Sequence, residues 1–323
     1  MKSKGIFVVD YMKLEVREHE VAEPGYGEVL VKTAACGLCC WDSWLYRGVN
    51  APGPYPYVIG HEGAGVIEKV GEGVKHVKVG DKVFCAGGGN EMMSEYFTTS
   101  GASVVKLPDD ITDWAGAVYE PTVCAVNVLN KTQIAAGDHV VLVGAGYMGQ
   151  LTLMGLTLAS QAGRITVFEL REDRRKMAEA YGPTAVYDPE SEEGKAAIEA
   201  IKAEGGADIC IDFGASDSGF HLADSMVKQA GKLIIGSFHR SDVTFNGTKW
   251  HLGGLNVINT SPMNDPHYLE LVPRAYALIQ RGIYNPETLV SHTARYDDPE
   301  ALTTMFERSI DKKDDYMKGI VMF

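Results

Sequence analysis

The sequence predicts an α/β protein in which a doubly wound parallel-sheet domain is inserted into a mainly antiparallel β domain. Three observations carry this. After Pro121, apolar runs alternate with helical patterns, as expected of parallel strands covered on both faces. Between residues 58 and 107, Gly65, Gly71, Gly73 and Gly80 punctuate short β-branched runs, the texture of a small antiparallel barrel with tight turns. The length, 323 residues, suits about two domains at roughly 100–200 residues each.

The elements follow in order. EVLVKTAAC, residues 28–36, has the period-2 look of a strand. HVVLVGAG (139–146) is a strand leading into a helix from about residue 147. RITVFEL (164–170) is a strand, and REDRRKMAEAYG after it a helix. ADICIDFG (207–214) precedes a helix from about 217; GKLIIGSF (231–238) and LNVINTS (255–261) complete the parallel strands. HYLELVPRAYALIQRG (267–282) is a closing helix. There is no internal repeat. The expected boundaries are 1–125 with 265–323 for the outer domain, and 126–264 for the inserted one.

Composition excludes several classes. Hydrophobic residues at 45% and charged residues at 23% fit a globular chain with a real core. The net charge of −13, without a compensating block of Lys and Arg, argues against nucleic acid. No stretch approaches the roughly 20 apolar residues of a membrane helix. The opening MKSKGIFVVDYMKLEV has too short an apolar run for a secretory signal, so a cytoplasmic location is expected. Thiols stay reduced there, and the six cysteines form no disulfide framework.

VVLVGAGYMGQLTLMGL sets Gly144, Gly146 and Gly149 in G-x-G-x-x-G between a strand and an apolar helix that Tyr147 and Met148 open. Gly144 allows the tight turn, Gly146 lets the backbone approach a pyrophosphate, and Gly149 permits close helix–strand packing. The helix N-terminus offers free N–H groups to phosphates. Glu169 ends the next strand twenty residues after Gly149, where a carboxylate accepts from ribose hydroxyls and repels a 2′-phosphate. NAD is therefore favoured, while Arg171 and Arg174 keep NADP open; Arg174 is itself a candidate cofactor contact. Gly236 and Ser237, at a carboxyl strand end, are candidates for backbone contacts to the nicotinamide half.

Residues 34–44 read AACGLCCWDSW. Cys36-x-x-Cys39 has no second C-x-x-C to complete a four-cysteine site, and no βαβ unit surrounds it as a redox motif requires. Read as extended chain, Cys39 and Cys40 point apart, so one metal takes at most one of them. His61 and Glu62 in IGHEG, and Glu120 in YEPTVCA, are further donors. One thiolate, one imidazole and one carboxylate with an open position make a catalytic zinc composition, which spacing alone does not establish.

Over nearly its whole length the chain resembles the zinc-dependent alcohol dehydrogenases of the medium-chain dehydrogenase/reductase superfamily, nearest the sorbitol and threonine dehydrogenase branch. GLCCWD resembles the family's G-I-C-G-[ST]-D, IGHEGAGVIEKVGEGVKHVKVGDKV its G-H-E stretch, YEP its E-P, and VVLVGAGYMGQ its cofactor turn. The resemblance implies a Rossmann domain inserted into a GroES-like catalytic domain, with the site in the cleft between them. It implies Cys39 and His61 as zinc ligands and Glu62 or Glu120 as the carboxylate ligand. Cys36 and Cys40 then become core or pocket residues, and Asp42 orients the imidazole. It also implies hydride transfer between a secondary alcohol, of polyol, sugar or cyclitol type, and NAD, in a homodimer or homotetramer.

Two departures matter. The matching region FCAGGGNEMMSEYFTTSG holds only Cys85 where the family carries four cysteines for a structural zinc, so one zinc per chain is expected. Trp41 stands where the family often has a Ser or Thr that passes on the substrate proton, so Ser43, Glu62 or a water must serve, or the relay is differently built. Trp41, Trp44 and Met92, with Met93 beside it, are candidates to line the substrate mouth. The competing readings are a metal-free quinone or enone reductase on the same scaffold, and a non-catalytic dinucleotide-binding protein.

Overall fold

The computed structural model describes residues 1–87, 91–263, 265–313 and 315–323. Contacts divide the chain into two compact units: Met1–Val123 with Leu269–Ala277 and Asn285–Phe323, and Cys124–Tyr268 with Leu278–Tyr284. The expected boundaries at 125 and 265 thus shift by a few residues. The stretch Leu278–Tyr284, expected in the outer domain, belongs to the second unit.

The first unit begins with β1 (Lys2–Asp10), β2 (Lys13–Glu20), β3 (Glu28–Leu38), α1 (Cys40–Tyr46), β4 (Tyr57–Val58) and β5 (Glu62–Val70). It continues with β6 (Lys82–Cys85), β7 (Tyr96–Ser100) and β8 (Val104–Lys106). At the junction with the second unit lies α2 (Glu120–Thr132). Near the C-terminal end, β15 (Val290–Arg295), α9 (Pro299–Asp311) and β16 (Lys318–Met322) complete the first unit. Its larger sheet runs β15-β16-β3-β5-β6-β8, with β7 also on β3; only β15 and β16 pair in parallel.

Strand β3 is the axis of that sheet. Its alternating Val29 and Val31 are fully buried in a core shared with Ile6, Ile67, Val83 and Phe306. One neighbour sets Gly37 opposite Glu62, and the other sets Leu38 opposite Gly319. The start of β5, the start of β16 and the end of β3 therefore meet. Cys39 sits where β3 passes directly into α1, so the expectation of an extended chain through Cys39 and Cys40 is corrected: Cys39 caps the helix and Cys40 begins it.

The second unit contains β9 (His139–Val143), α3 (Tyr147–Ala159), β10 (Arg164–Phe168), α4 (Glu172–Glu179) and β11 (Ala185–Tyr187). It goes on with α5 (Glu192–Ala203), β12 (Ala207–Asp212), α6 (Asp217–Met226), β13 (Val227–Ile235), α7 (Gly247–Gly253) and β14 (Asn256–Asn259). The helix α8 (Tyr268–Gln280) supplies residues to both units. The strands are parallel in the order β11-β10-β9-β12-β13-β14. On β9, Val140 and Leu142 join one core cluster and Val141 and Val143 the other, so the strand is apolar on both faces. Leu153 and Leu156 of α3 cover one face; Ile198 of α5 and Phe220 of α6 cover the other. The sequence reading passed over β11, α5 and α7. Among the described residues, no helix is long and apolar enough to cross a membrane.

Candidate active site

Ligand atoms of Cys39, His61 and Glu62 lie within 4.8 Å of one another. Each is placed by a different device. Cys39 follows β3 directly and caps α1, its N–H donating to Asp42 Oδ2 at 2.9 Å. His61 follows Gly60, whose φ of 97° suits glycine and whose N–H donates to Asp42 Oδ1 at 3.1 Å. A Cβ at Gly60 would stand 2.6 Å from the Met93 backbone nitrogen. Glu62 opens β5 opposite Gly37, where a Cβ would stand 1.9 Å from its carboxylate. Gly60→Ala is therefore expected to lower stability by about 1–3 kcal/mol and to loosen metal retention. Urea denaturation and metal analysis check this; wild-type values for both would refute it.

Asp42 is fully buried. Its Oδ1 lies 3.5 Å from His61 Nδ1, long for a hydrogen bond, so it orients the ring chiefly by charge. That leaves Nε2 as the nitrogen for the ligand group. Burial works against a charged ring, yet Asp42 and Cys39 lift His61 well above its ordinary value. The Cys40 thiol, then His61 and Lys318, pull the Cys39 thiol well below its ordinary value in spite of burial. A metal ligand must be the thiolate.

Sequence reasoning missed Lys318. It is 3% exposed, pairs with Glu62 and also donates to the Leu38 carbonyl at 3.3 Å. Burial pushes the Glu62 carboxyl up to about 8, with Lys318 opposing the rise and Cys39 and Glu120 adding to it. Glu120 opens α2 and is itself buried, but stands outside the close group of three ligand atoms. No signal in the sequence links Lys318 to the site, since it comes 256 residues after Glu62.

Several expectations need correction. Ser43 Oγ lies 2.5 Å from Ser309 Oγ and 3.3 Å from the Cys39 carbonyl, buried between α1 and α9. Its hydroxyl is engaged inside the helix pair, so the relay role expected for it does not fit. Met92 is 1% exposed, and its Sδ packs over Gly63 beside Phe97 in the β core; Met93 is buried there too. Neither lines a mouth. Trp44 is buried and Trp41 half-buried, edge-on at 6.1 Å. Cys36 is a fully buried core residue whose thiol burial pushes up, and Cys40 is exposed. Cys85 is likewise core; residues 88–90 of the expected short lobe lie outside the described residues.

In the second unit the glycine turn joins β9 to α3. Gly144 has φ of 90°, and a Cβ there would stand 2.6 Å from the Phe213 carbonyl. At Gly149 a Cβ would stand 2.2 Å from the Gly144 oxygen. Gly146 differs: a Cβ would meet only Arg174 Nη1, at 3.5 Å. No packing demands a glycine there, which leaves the open cradle a pyrophosphate needs. Tyr147 and Met148 stand half-buried at the start of α3. Arg174 faces the cradle with a buried Nε that has no hydrogen-bond partner, and Gln150 holds its carbonyl at 2.9 Å. Glu169 accepts from the Ala145 N–H at 2.6 Å and the Arg171 N–H at 2.9 Å, which leaves lone pairs for ribose hydroxyls. Gly236 and Ser237 donate their N–H groups to the Asp212 carbonyl at 3.1 and 2.9 Å, so the contacts they can still offer are not those N–H groups.

Family models place this arrangement. Residues 25–109 match the alcohol dehydrogenase GroES-like domain, and residues 134–275 match the zinc-binding dehydrogenase domain. The chain belongs to the zinc-dependent alcohol dehydrogenases of the medium-chain superfamily. This family member is 27% identical to the (R,R)-butanediol dehydrogenase of Bacillus subtilis, over 89% of this chain and 90% of that protein. It is 26% identical to D-xylulose reductase A of Aspergillus niger, over 84% of each. Its fold matches the crystal structure of the Escherichia coli alcohol dehydrogenase rspB complexed with NADH, at TM-score 0.85 and 24% identity, covering 100% and 99% of the two chains. It is a zinc- and nicotinamide-dependent oxidoreductase with a GroES-like and a Rossmann domain.

Proposed function

We propose that this dehydrogenase interconverts a secondary alcohol of the polyol class and its ketone, with NAD as the hydride carrier and one zinc per chain. The observation that carries the reading is the convergence of half-buried Cys39 and His61 with buried Glu62. A soft thiolate, an imidazole and a carboxylate fit zinc, and three protein donors leave a position open. When bound, the ion supplies a Lewis acid that acidifies an alcohol, and the nicotinamide accepts the hydride.

The chain's own residues do the rest. Asp42 holds the His61 ring. Lys318 holds Glu62 in reach and offers it an alternative partner; Glu62 is the resting carboxylate ligand, and Glu120 acts on it through charge. With Ser43 turned to Ser309 and an indole at Trp41, the substrate proton leaves through Glu62 or a water. Half-buried Trp41, with Trp44 packed edge-on behind it, offers a flat wall for the carbon face of a polyol. Butanediol and xylulose, named for two relatives, are both hydroxylated at neighbouring carbons, which supports this class.

A panel of vicinal diols, sugar alcohols and cyclitols with NAD and NADP, together with metal analysis, tests the reading. Zinc-free protein that reduces enones with NADPH at full rate would favour the quinone reductase instead. Glu169→Ala is expected to cut the preference for NAD over NADP by about tenfold, read as the ratio of kcat/KM. An unchanged ratio would contradict the role of that carboxylate. We place the protein in the cytosol, where Cys39 stays reduced, as a homodimer or homotetramer that light scattering would size.

A further inference from the structure

At the carboxyl ends of the parallel strands stands a buried pair the sequence reading did not single out. Asp212 is the last residue of β12 and is fully buried. Its Oδ1 accepts the Gly214 N–H at 2.8 Å, and its Oδ2 lies 2.6 Å from His239 Nε2. The His239 side chain is 13% exposed and packs edge-on against Phe220 at 5.7 Å. Ser237 ties the two loops together, its Oγ accepting from the Ala215 N–H at 3.0 Å and donating to the Asp212 carbonyl at 3.2 Å.

The place matters. Strands β9, β10 and β11 run outward in one direction from the sheet centre, and β12, β13 and β14 in the other. The order reverses between β9 and β12, and ligands of open parallel sheets lie outside the carboxyl ends at that point. Phe213 and Gly214, directly after Asp212, touch Gly144 of the cofactor turn. His239 comes from the neighbouring strand end, on the side away from Glu169. A dinucleotide with its pyrophosphate at Gly146 and its adenosine ribose at Glu169 sends its other half towards β12 and β13. With Asp212 ionised, Nε2 is the donor and the ring is held in one tautomer. Nδ1 then makes no hydrogen bond among the described residues and is an acceptor.

We propose that His239, held by Asp212, accepts a hydrogen bond at Nδ1 from a hydroxyl of the nicotinamide-side ribose. Asp212 is the positioning residue: it sets the tautomer and the ring plane without touching the ligand. The contact rests on the second unit binding a nicotinamide dinucleotide, and it adds a specific residue for the half that the glycine turn does not hold. The plain alternative is that the pair only fastens the loop after β13 to β12.

Two amide substitutions separate these roles. In His239→Gln the amide reaches the position of Nε2, so the link to Asp212 survives while the acceptor at Nδ1 is lost. In His239→Asn the amide stands near Nδ1 and the link is lost. Calorimetric titration with ADP, ADP-ribose and NADH reads the contact, and the melting temperature reads the fastening. The expected result is about fivefold weaker ADP-ribose and NADH binding in His239→Gln, with ADP unchanged and a near-native melting temperature. His239→Asn should melt lower yet bind ADP-ribose and NADH, the two ligands with a second ribose, more tightly than His239→Gln. Wild-type affinities in His239→Gln would reduce the pair to a fastening and overturn the proposal. Weakening of NADH without weakening of ADP-ribose would overturn it too, by moving the contact to the carboxamide. A wild-type protein that binds none of the three ligands would sink the dinucleotide reading itself, and this contact with it.

Discussion

Cys39→Ser is expected to remove zinc from the protein and to lower turnover by at least about 10³-fold, while NADH affinity changes by less than about twofold. The first effect follows from the donor set. Among the described residues three ligand groups converge, and serine, which stays a neutral hydroxyl, replaces the one thiolate. The second follows from the division of labour. Cys39 belongs to the first unit, whereas the Gly144–Gly149 turn and Glu169 belong to the second. The helix cap survives, because Cys39 contributes its backbone N–H to Asp42. Metal analysis, steady-state kinetics and NADH fluorescence titration on the same preparation check all three statements. Retained turnover in zinc-free Cys39→Ser would end the metal assignment.

Lys318→Met is expected to have the next largest effect. Lys318 and Glu62 form an ion pair almost without solvent. Removing one partner of such a pair costs up to about 3–5 kcal/mol where the other charge stays buried and unpaired. The Cys39 thiolate and Glu120 add to the strain on Glu62 by like charge. Part of the loss is relieved because the carboxyl, already up at about 8, takes a proton once the ammonium is gone. The variant should therefore unfold at lower urea and hold zinc more weakly. The double variant Glu62→Gln with Lys318→Met should recover most of the stability, though not the zinc. Equal stability of single and double variants would show that the pair carries no such energy.

Much of the site was legible in residue types and much of its wiring was not. The thiolate, imidazole and carboxylate donor types are legible in the sequence, but the choice of Cys39 and His61 comes from the family resemblance, and Glu62 and Glu120 stay open there. Glycine spacing marks the turn at 144–149 because steric demands there are local: Gly144 and Gly149 are crowded by backbone within a few ångströms. Ser43 misled because nearness in sequence to Cys39 does not say which face of α1 a hydroxyl takes, and α9 supplies its partner. Met92 misled in the same way, since the Gly63 and Phe97 surfaces that enclose it come from other strands. The short β11 and the charged α5 lack the long apolar run that marks the other parallel strands.

By itself the chain's sequence determined the alternation of elements, the glycine turn, the donor types and the acidic residue after β10. These depend on periodicity and on backbone sterics, which act over a few residues. Only the tertiary structure decided that Lys318 neutralises Glu62, that Asp42 reaches both Cys39 and Gly60, and that His239 closes on Asp212. Those pairings depend on strand register: β3 sets Gly37 against Glu62 and Leu38 against Gly319, and so brings chain ends together across most of the sequence. Register is fixed by how the whole buried face packs, and no local pattern encodes it.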